Sequence, residues 1–304
     1  MTAHPQLLHQ KRGFDSQRMS SVRLFVMRLL KIFCLLPLLF YFNTALFADE
    51  ARARAAMSNP QNHLVAVFTS KGAFYIELFN ERAPRTVRQF VALVTGTMDF
   101  PSSDLKIRYY DQSSFHTVIP GRALYAGSPS ASRFGLQPSP IRAEIDGISL
   151  GLDTRPLLNS TGEVDRSFAL STRQEFEEQI LAPLYAAAGI ESAQALKNNA
   201  ERMMQRLQQL SVLEALENLG YRFSSTLNTQ PISQGTVALL PTKPGEVGAE
   251  FVISLVSSPW LDGRATPIGN VVDGLSVVKE IGNRGVSPDD EPSLATAIYS
   301  MRIL

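Results

Sequence analysis

The chain has 304 residues, of which 44% are hydrophobic and 19% charged, and a formal net charge of +1. That composition supports one sizeable core plus an appended element, and the near-zero charge gives no global attraction to nucleic acid or an anionic membrane surface. The single cysteine, Cys34, excludes an intrachain disulfide framework, and His4, His9, His63 and His116 are scattered, so neither a metal site nor a cofactor is expected.

Residues 32–48, IFCLLPLLFYFNTALFA, form an uncharged run preceded by Arg23, Arg28 and Lys31. A basic start, an apolar centre and small residues before DEARARAA outline a secretory signal cut near Ala48. The competing reading is a membrane anchor, for which the run is at the short limit and is broken by Pro37, Asn43 and Thr44. Initiation at Met27 would give the signal compact proportions. Either way the remainder is expected in the periplasm or secreted, with membrane contact only if the segment is retained. Residues 49–62, DEARARAAMSNPQN, are polar and alanine-rich and read as a tether.

From His63 the pattern changes. LVAVFTSKGAFYIELF places two β-branched and aromatic runs around Ser70-Lys71-Gly72, a hairpin signal. In APRTVRQFVALVTG, Pro84 suits a first helical turn, Val87, Phe90, Val91 and Val94 recur at helical spacing, and Gly96 is a C-terminal cap. Strands are expected around 107–110, 114–119 and 122–126, with Pro120-Gly121 turning between the last two. Near the C-terminus TVALLP, EFVISLV and TPIGNVV read as strands, GLSVVKEIGN as a short helix, and ATAIYSMRIL as a final edge strand. Many short strands with two helices predict a closed barrel with helical caps, since closure removes exposed edges.

Between these halves lies a helical insertion at about 150–230. Residues 174–188 are helical by content but interrupted by Pro183, and in 191–219 an apolar stripe runs through Leu196, Met203, Leu207, Leu210, Leu213 and Leu216 to a stop at Gly220. The expectation is an inserted helical hairpin whose stripe packs on itself or on the barrel. The sharper alternative makes 174–219 a docking surface for a protein partner, because long loop insertions cost little closure entropy and often carry function.

Several stretches resemble the cyclophilin-type peptidyl-prolyl isomerases, and in the same order: VAVFTSKGAFYIELFNERAPRTVRQFVALVTG, YYDQSSFHTVIPGRALYAGSPS, IRAEID, GTVALLPTKPGEVGAEFVISLVSSPWLDG and IGNVVDGLSVVKEI. The resemblance covers roughly residues 63–146 and 235–304. It implies a mainly β fold, an eight-stranded antiparallel cyclophilin-like barrel capped by two helices, which agrees with the elements read above. It also implies rotation of X-Pro bonds in proline-containing peptide or protein segments, helped in the family by an arginine and a glutamine beside an apolar proline pocket.

The resemblance is uneven at the site. Phe115 and His116 stand where the family has Phe-His, but the arginine position is Thr117, the phenylalanine after Pro-Gly is Arg122, the methionine-type position is Ala123 and the glutamine is Tyr125. In the second half Leu240 and Pro241 replace alanine and asparagine, Glu250 a glutamine, Val252 a wall phenylalanine, Ala265 a histidine and Ile268 an aromatic, while Trp260 and Leu261 match the pocket rim. A hydrogen bond from a charged donor is worth about 1.5–3 kcal/mol, so losing the arginine alone lowers the rate by about tenfold to a few hundredfold. Arg122 could replace it with Glu250 holding the guanidinium; the plainer reading makes those two a surface ion pair worth little. Two functions follow: an extracytoplasmic isomerase of low or altered activity assisting exported proteins, or a non-catalytic binding module using the remodelled groove and the insertion.

Overall fold

The computed structural model describes residues 49–286 and 294–304; the signal and the start at Met27 lie outside the described residues. Residues 53–304 form one compact unit. Strands β1 (Leu64–Thr69) and β2 (Gly72–Leu78) make the expected hairpin. Their side chains alternate: Val65, Val67, Phe74, Ile76 and Leu78 enter the interior core, whereas Leu64, Ala66 and Tyr75 look outward. Helix α1 (Pro84–Thr95) carries its proline in the first turn, where a missing N–H removes no helical bond, and ends at Gly96 with φ 78°. Val87, Phe90, Leu93 and Val94 turn its apolar stripe into the same core.

The strands β3 (Ser113–Ser114), β4 (Thr117–Ile119), β5 (Ala123–Ala126), β6 (Ile141–Arg142), β7 (Thr236–Lys243), β8 (Glu246–Ser254), β9 (Thr266–Asp273) and β10 (Ala297–Ile303) complete one sheet. Its order is β3-β10-β1-β2-β9-β7-β8-β5-β4, with β6 pairing β8, and every named pair is antiparallel. The end strands β3 and β4 are separated in the chain only by Phe115 and His116, so one continuous segment joins the two edges and curls the sheet into a barrel. Two of the ten strands are two-residue pieces, leaving the eight of the expected barrel. Of the two expected capping helices, α1 contributes as above, and the helix after β9 adds Val278 and Ile281 to the core.

Three strand expectations are corrected. Residues 107–110 are not a strand: the Tyr109 N–H bonds the Leu93 carbonyl at the end of α1 (2.9 Å) and the Tyr110 hydroxyl donates to the Ala249 carbonyl (2.8 Å), so this backbone turns instead of joining a ladder. The run 114–119 is divided by the corner at Phe115-His116. β10 is not an edge, because it pairs with both β1 and β3.

The insertion lies between β6 and β7. Helices α2 (Arg173–Phe176) and α3 (Ala182–Ala187) are joined by a widened turn, Glu177–Leu181. The helix therefore continues past Pro183, since a wide turn accommodates the N–H that proline lacks. The second expected helix is three: α4 (Ala193–Asn198), α5 (Ala200–Gln209) and α6 (Val212–Asn218). Ser211 causes the last break, because its hydroxyl accepts the Glu214 N–H while the Glu214 carboxylate accepts the Ser211 N–H. The insertion is thus a group of short helices rather than a hairpin. Leu207, Leu210 and Leu216 from the stripe join Leu152, Phe168 and Leu184 in its own core; Leu213 packs partly on it, and Leu196 is half-buried.

Residues 53–62, expected as part of a tether, are docked. Ala53 and Met57 cover the outward Leu64, Ala66 and Tyr75. Glu77, 2% exposed, accepts the Ser58 N–H and hydroxyl (both 2.8 Å), the Asn59 N–H (2.9 Å) and the Asn62 amide (2.8 Å). Burial pushes the Glu77 carboxyl up, but these hydrogen bonds outweigh it and hold the group below its ordinary 4.5. A carboxyl with a lowered folded pKa contributes stability that is present above its unfolded value and lost as pH falls through the folded one. Glu77→Ala is expected to cost about 2–4 kcal/mol at pH 7, and urea denaturation at neutral and strongly acidic pH should show that cost shrinking with acid. Helix α7 (Leu275–Ile281) follows β9 and completes the fold.

Candidate functional site

Pairing across the sheet aligns the expected site. Thr117 opposes Tyr125, Tyr125 opposes Val252, and Val252 opposes Ala238. Residues opposed in a ladder share a face. The intervening Val118, Leu124, Ile253 and Val237 belong to the interior core, so this row lies on the outside of the barrel. Glu250 and Leu240 are two residues from Val252 and Ala238 on the same strands, and Ala123 is two from Tyr125. Beyond β8 a single turn, Pro259–Leu261, forms a rim that carries Trp260 and Leu261. Ala123, Ala238, Val252 and Ala265, with Tyr125, Leu240 and Leu261 packed on them, make one apolar cluster.

Three expected pocket residues lie elsewhere. Phe115 and Ile268 are fully buried in the interior core, with the Phe115 ring centroid 6.4 Å from that of Phe251. Pro241 lies past a register irregularity in β7 and opposes Val247, away from the Val252 row.

The polar groups do not pair as expected. Thr117 Oγ1 is 2.9 Å from His116 Nδ1, and His116 Nε2 is 3.3 Å from Glu250 Oε1, an ion-pair distance off the hydrogen-bonding direction. The Arg122 guanidinium instead lies over the Trp260 ring, 5.0 Å from its centroid. Neither the catalytic nor the surface Arg122–Glu250 pair forms, and the reason is spacing. Leu255 donates its N–H to the Arg122 carbonyl (2.8 Å), so Arg122 is level with a position five residues from Glu250, roughly 16 Å along a strand. Tyr125 stands between them. Burial and the Glu250 carboxylate push its phenol above the ordinary 10.0 while Arg122 pulls it down, so it stays a neutral donor.

Three residues outside the expected set hold the rim. Gly263 has φ +78°, and a Cβ there would stand 2.7 Å from Leu216 Cδ1 and 2.8 Å from Leu152 Cδ1, both in the insertion core. Arg264 places its guanidinium 4.9 Å from the Phe168 ring centroid and 5.6 Å from that of Tyr221. Asp262 accepts the Ile232 N–H at 2.8 Å. The available signal was Asp262-Gly263-Arg264 directly after Trp260-Leu261: an acid, a turn residue and a base in a loop beside a site. A cleft of about 370 Å³ at the start of α1, lined by Pro84, Arg85, Arg142, Glu144, Ser224 and Leu227 among others, belongs to a different part of the barrel.

Burial pushes the Asp262 carboxyl up to about 6 from 3.8, against the downward pull of the Ile232 N–H and of Arg155. A group with a raised folded pKa stabilises the fold most below its unfolded value and loses that contribution as pH rises through the folded one. Stability is therefore expected to fall by about 1–3 kcal/mol from this group between pH 4 and pH 7. Asp262→Asn keeps the acceptor for Ile232 and removes the charge. Thermal denaturation across that range should give a flatter profile and a higher neutral-pH Tm for the variant; an unchanged slope would contradict the assignment.

The fold and face define a curled antiparallel, barrel-like sheet with its candidate site on the outer surface of β4, β5, β8 and β7. The chain belongs to the cyclophilin family: the model described as "Cyclophilin type peptidyl-prolyl cis-trans isomerase/CLD" matches residues 64–303. A curated relative, "Peptidyl-prolyl cis-trans isomerase-like 1" of Rhizopus delemar, is 38% identical over 220 residues, 72% of this chain and 79% of that protein. The protein of the same name from Aspergillus oryzae is 24% identical over 241 residues, 79% and 94% of the two chains. A solved cyclophilin type isomerase of Cryptosporidium parvum aligns with TM-score 0.43 and 15% identity, covering 80% of this chain and 98% of that one.

Proposed function

We propose that this cyclophilin-family chain is a peptidyl-prolyl isomerase of low or altered efficiency, acting on proline-containing segments of exported proteins outside the cytoplasm. The observation that supports it is the Arg122 guanidinium on Trp260, at the rim of the apolar cluster. Rotation of an X-Pro bond must overcome about 18–20 kcal/mol of amide resonance, and no covalent step is required. In the twisted state the nitrogen has lost conjugation and become basic, so a donor aimed at it favours that state over either planar form. Thr117 is a poor donor beside an arginine, since it is neutral and short, and its hydroxyl shares a 2.9 Å hydrogen bond with His116 Nδ1. Arg122 is the charged donor at the rim of this face.

The efficiency is low for two reasons. The guanidinium must leave the Trp260 ring, at a cost of about 0.5–1 kcal/mol for an exposed pair, and Val252 offers less wall than the family's phenylalanine. The location outside the cytoplasm rests on the uncharged run 32–48 behind Arg23, Arg28 and Lys31. The scaffold reading has less behind it, because Leu207, Leu210 and Leu216 of the apolar stripe are consumed in the insertion's own core.

Exchange NMR on a proline peptide, with and without the chain from residue 49 on, tests the reading. Accelerated cis/trans exchange is expected, reduced by about tenfold or more in Arg122→Ala. Activity unchanged by that substitution would remove Arg122 from the mechanism. A reporter enzyme fused after residue 62 should be recovered outside the cytoplasm; retention inside the cell would sink the export assignment.

A further inference from the structure

A face that receives a proline ring should be open, and this one is covered. Val252, Ala265 and Ala123 are 0%, 1% and 3% exposed, although Val252 and Ala123 stand on the outer side of the barrel and Ala265 just after the rim. Their strand neighbours in the cluster are Ala238, Leu240 and Tyr125, and the rim supplies Leu261. The remaining member is Ile232, 1% exposed, from the segment that returns from the insertion to β7. Pro231 and Ser233 on either side of it are exposed, so this segment runs along the surface and turns one side chain inward. Its backbone is pinned from both directions. The Ile232 N–H bonds Asp262 Oδ1 at 2.8 Å, and its carbonyl accepts the Ser258 N–H at 2.9 Å. The Ser258 hydroxyl is 2.7 Å from that of Ser254 at the end of β8.

The side chains at the matching positions explain why an isoleucine fits. Ala123, Val252 and Ala265 stand where the resemblance places a methionine-type residue, a phenylalanine and a histidine. Protein interiors do not leave such volume empty, and here Ile232 occupies it. We propose that Ile232 determines the specificity of this site: the chain seats its own isoleucine in the apolar depth that a substrate proline ring would take, so proline-containing peptides bind in competition with it. The inference rests on reading this face as a proline site. The sizes agree, since Ile232→Ala deletes three carbons and a pyrrolidine ring brings three methylenes.

The test is a titration of the ¹⁵N-labelled chain, wild type, Ile232→Val and Ile232→Ala, with a proline tetrapeptide and its alanine counterpart, alongside exchange rates. From the worth of a buried methylene, the proline peptide should bind roughly threefold to fourfold more tightly to Ile232→Val and about ten- to fiftyfold more tightly to Ile232→Ala. The alanine peptide should gain nothing. If Ile232→Ala does not fold, the Ile232→Val step decides. Equal proline affinity in folded wild type and variants overturns the inference, as does an equal gain for both peptides. Tighter proline binding without accelerated exchange upholds this inference and removes the isomerase reading. Accelerated exchange in wild type, with affinity unmoved by either substitution, upholds the isomerase reading and removes this inference.

Discussion

Everything at the candidate site depends on the register across β4, β5, β8 and β7. Because strand side chains alternate, the pairs Thr117–Tyr125, Tyr125–Val252 and Val252–Ala238 place one set outside the barrel, and Val118, Leu124, Ile253 and Val237 inside it. A slip of one residue would exchange the two sets and expose the core. The same alternation leaves two apolar patches on the outer surface. That on β1 and β2 is covered by Ala53 and Met57, which Glu77 helps to hold; that on β5, β7 and β8 is covered by Ile232 and the rim. Covering such patches spares the protein an exposed hydrophobic surface, and at the second one the cover and the ligand compete for one place.

The insertion is a brace for that place. Its core touches the rim where Gly263 admits Leu216 and Leu152 without a Cβ in the way, and its Phe168 and Tyr221 hold Arg264. Its return segment ends in Ile232, bonded to Asp262 two residues after Trp260. The rim that carries Trp260 and Leu261 is thus fixed by residues far from it in sequence. The arrangement has a cost, since Asp262 is buried enough for its carboxyl to rise to about 6.

Much of the fold was legible because local signals and fold agree. Pro84 and Gly96 bracket α1, Ser70-Lys71 turns the first hairpin, and alternation marks β7 and β8. The errors arose where tertiary demands overrode pattern. Tyr109 and Tyr110 look like strand residues because they are aromatic and buried, but their polar groups serve the α1 terminus and β8. The break at Leu210 was readable from the Ser211 and Glu214 capping box and was passed over in favour of the longer leucine stripe. At the site, Thr117, Tyr125, Val252 and Glu250 were singled out by the resemblance, and their common face came only with the strand register. The partners of Arg122, His116 and Ile232 were not legible, because they depend on distances between strands and loops.

Trp260 is the only tryptophan in the chain, so its fluorescence reports the rim directly. Titrating the protein with a proline peptide while following that emission tests whether the outer face is the binding site. A saturable change is expected as the peptide displaces the Arg122 guanidinium from the ring, absent for the alanine counterpart. Peptide binding detected by calorimetry with no change in Trp260 emission would place the site elsewhere and contradict the account.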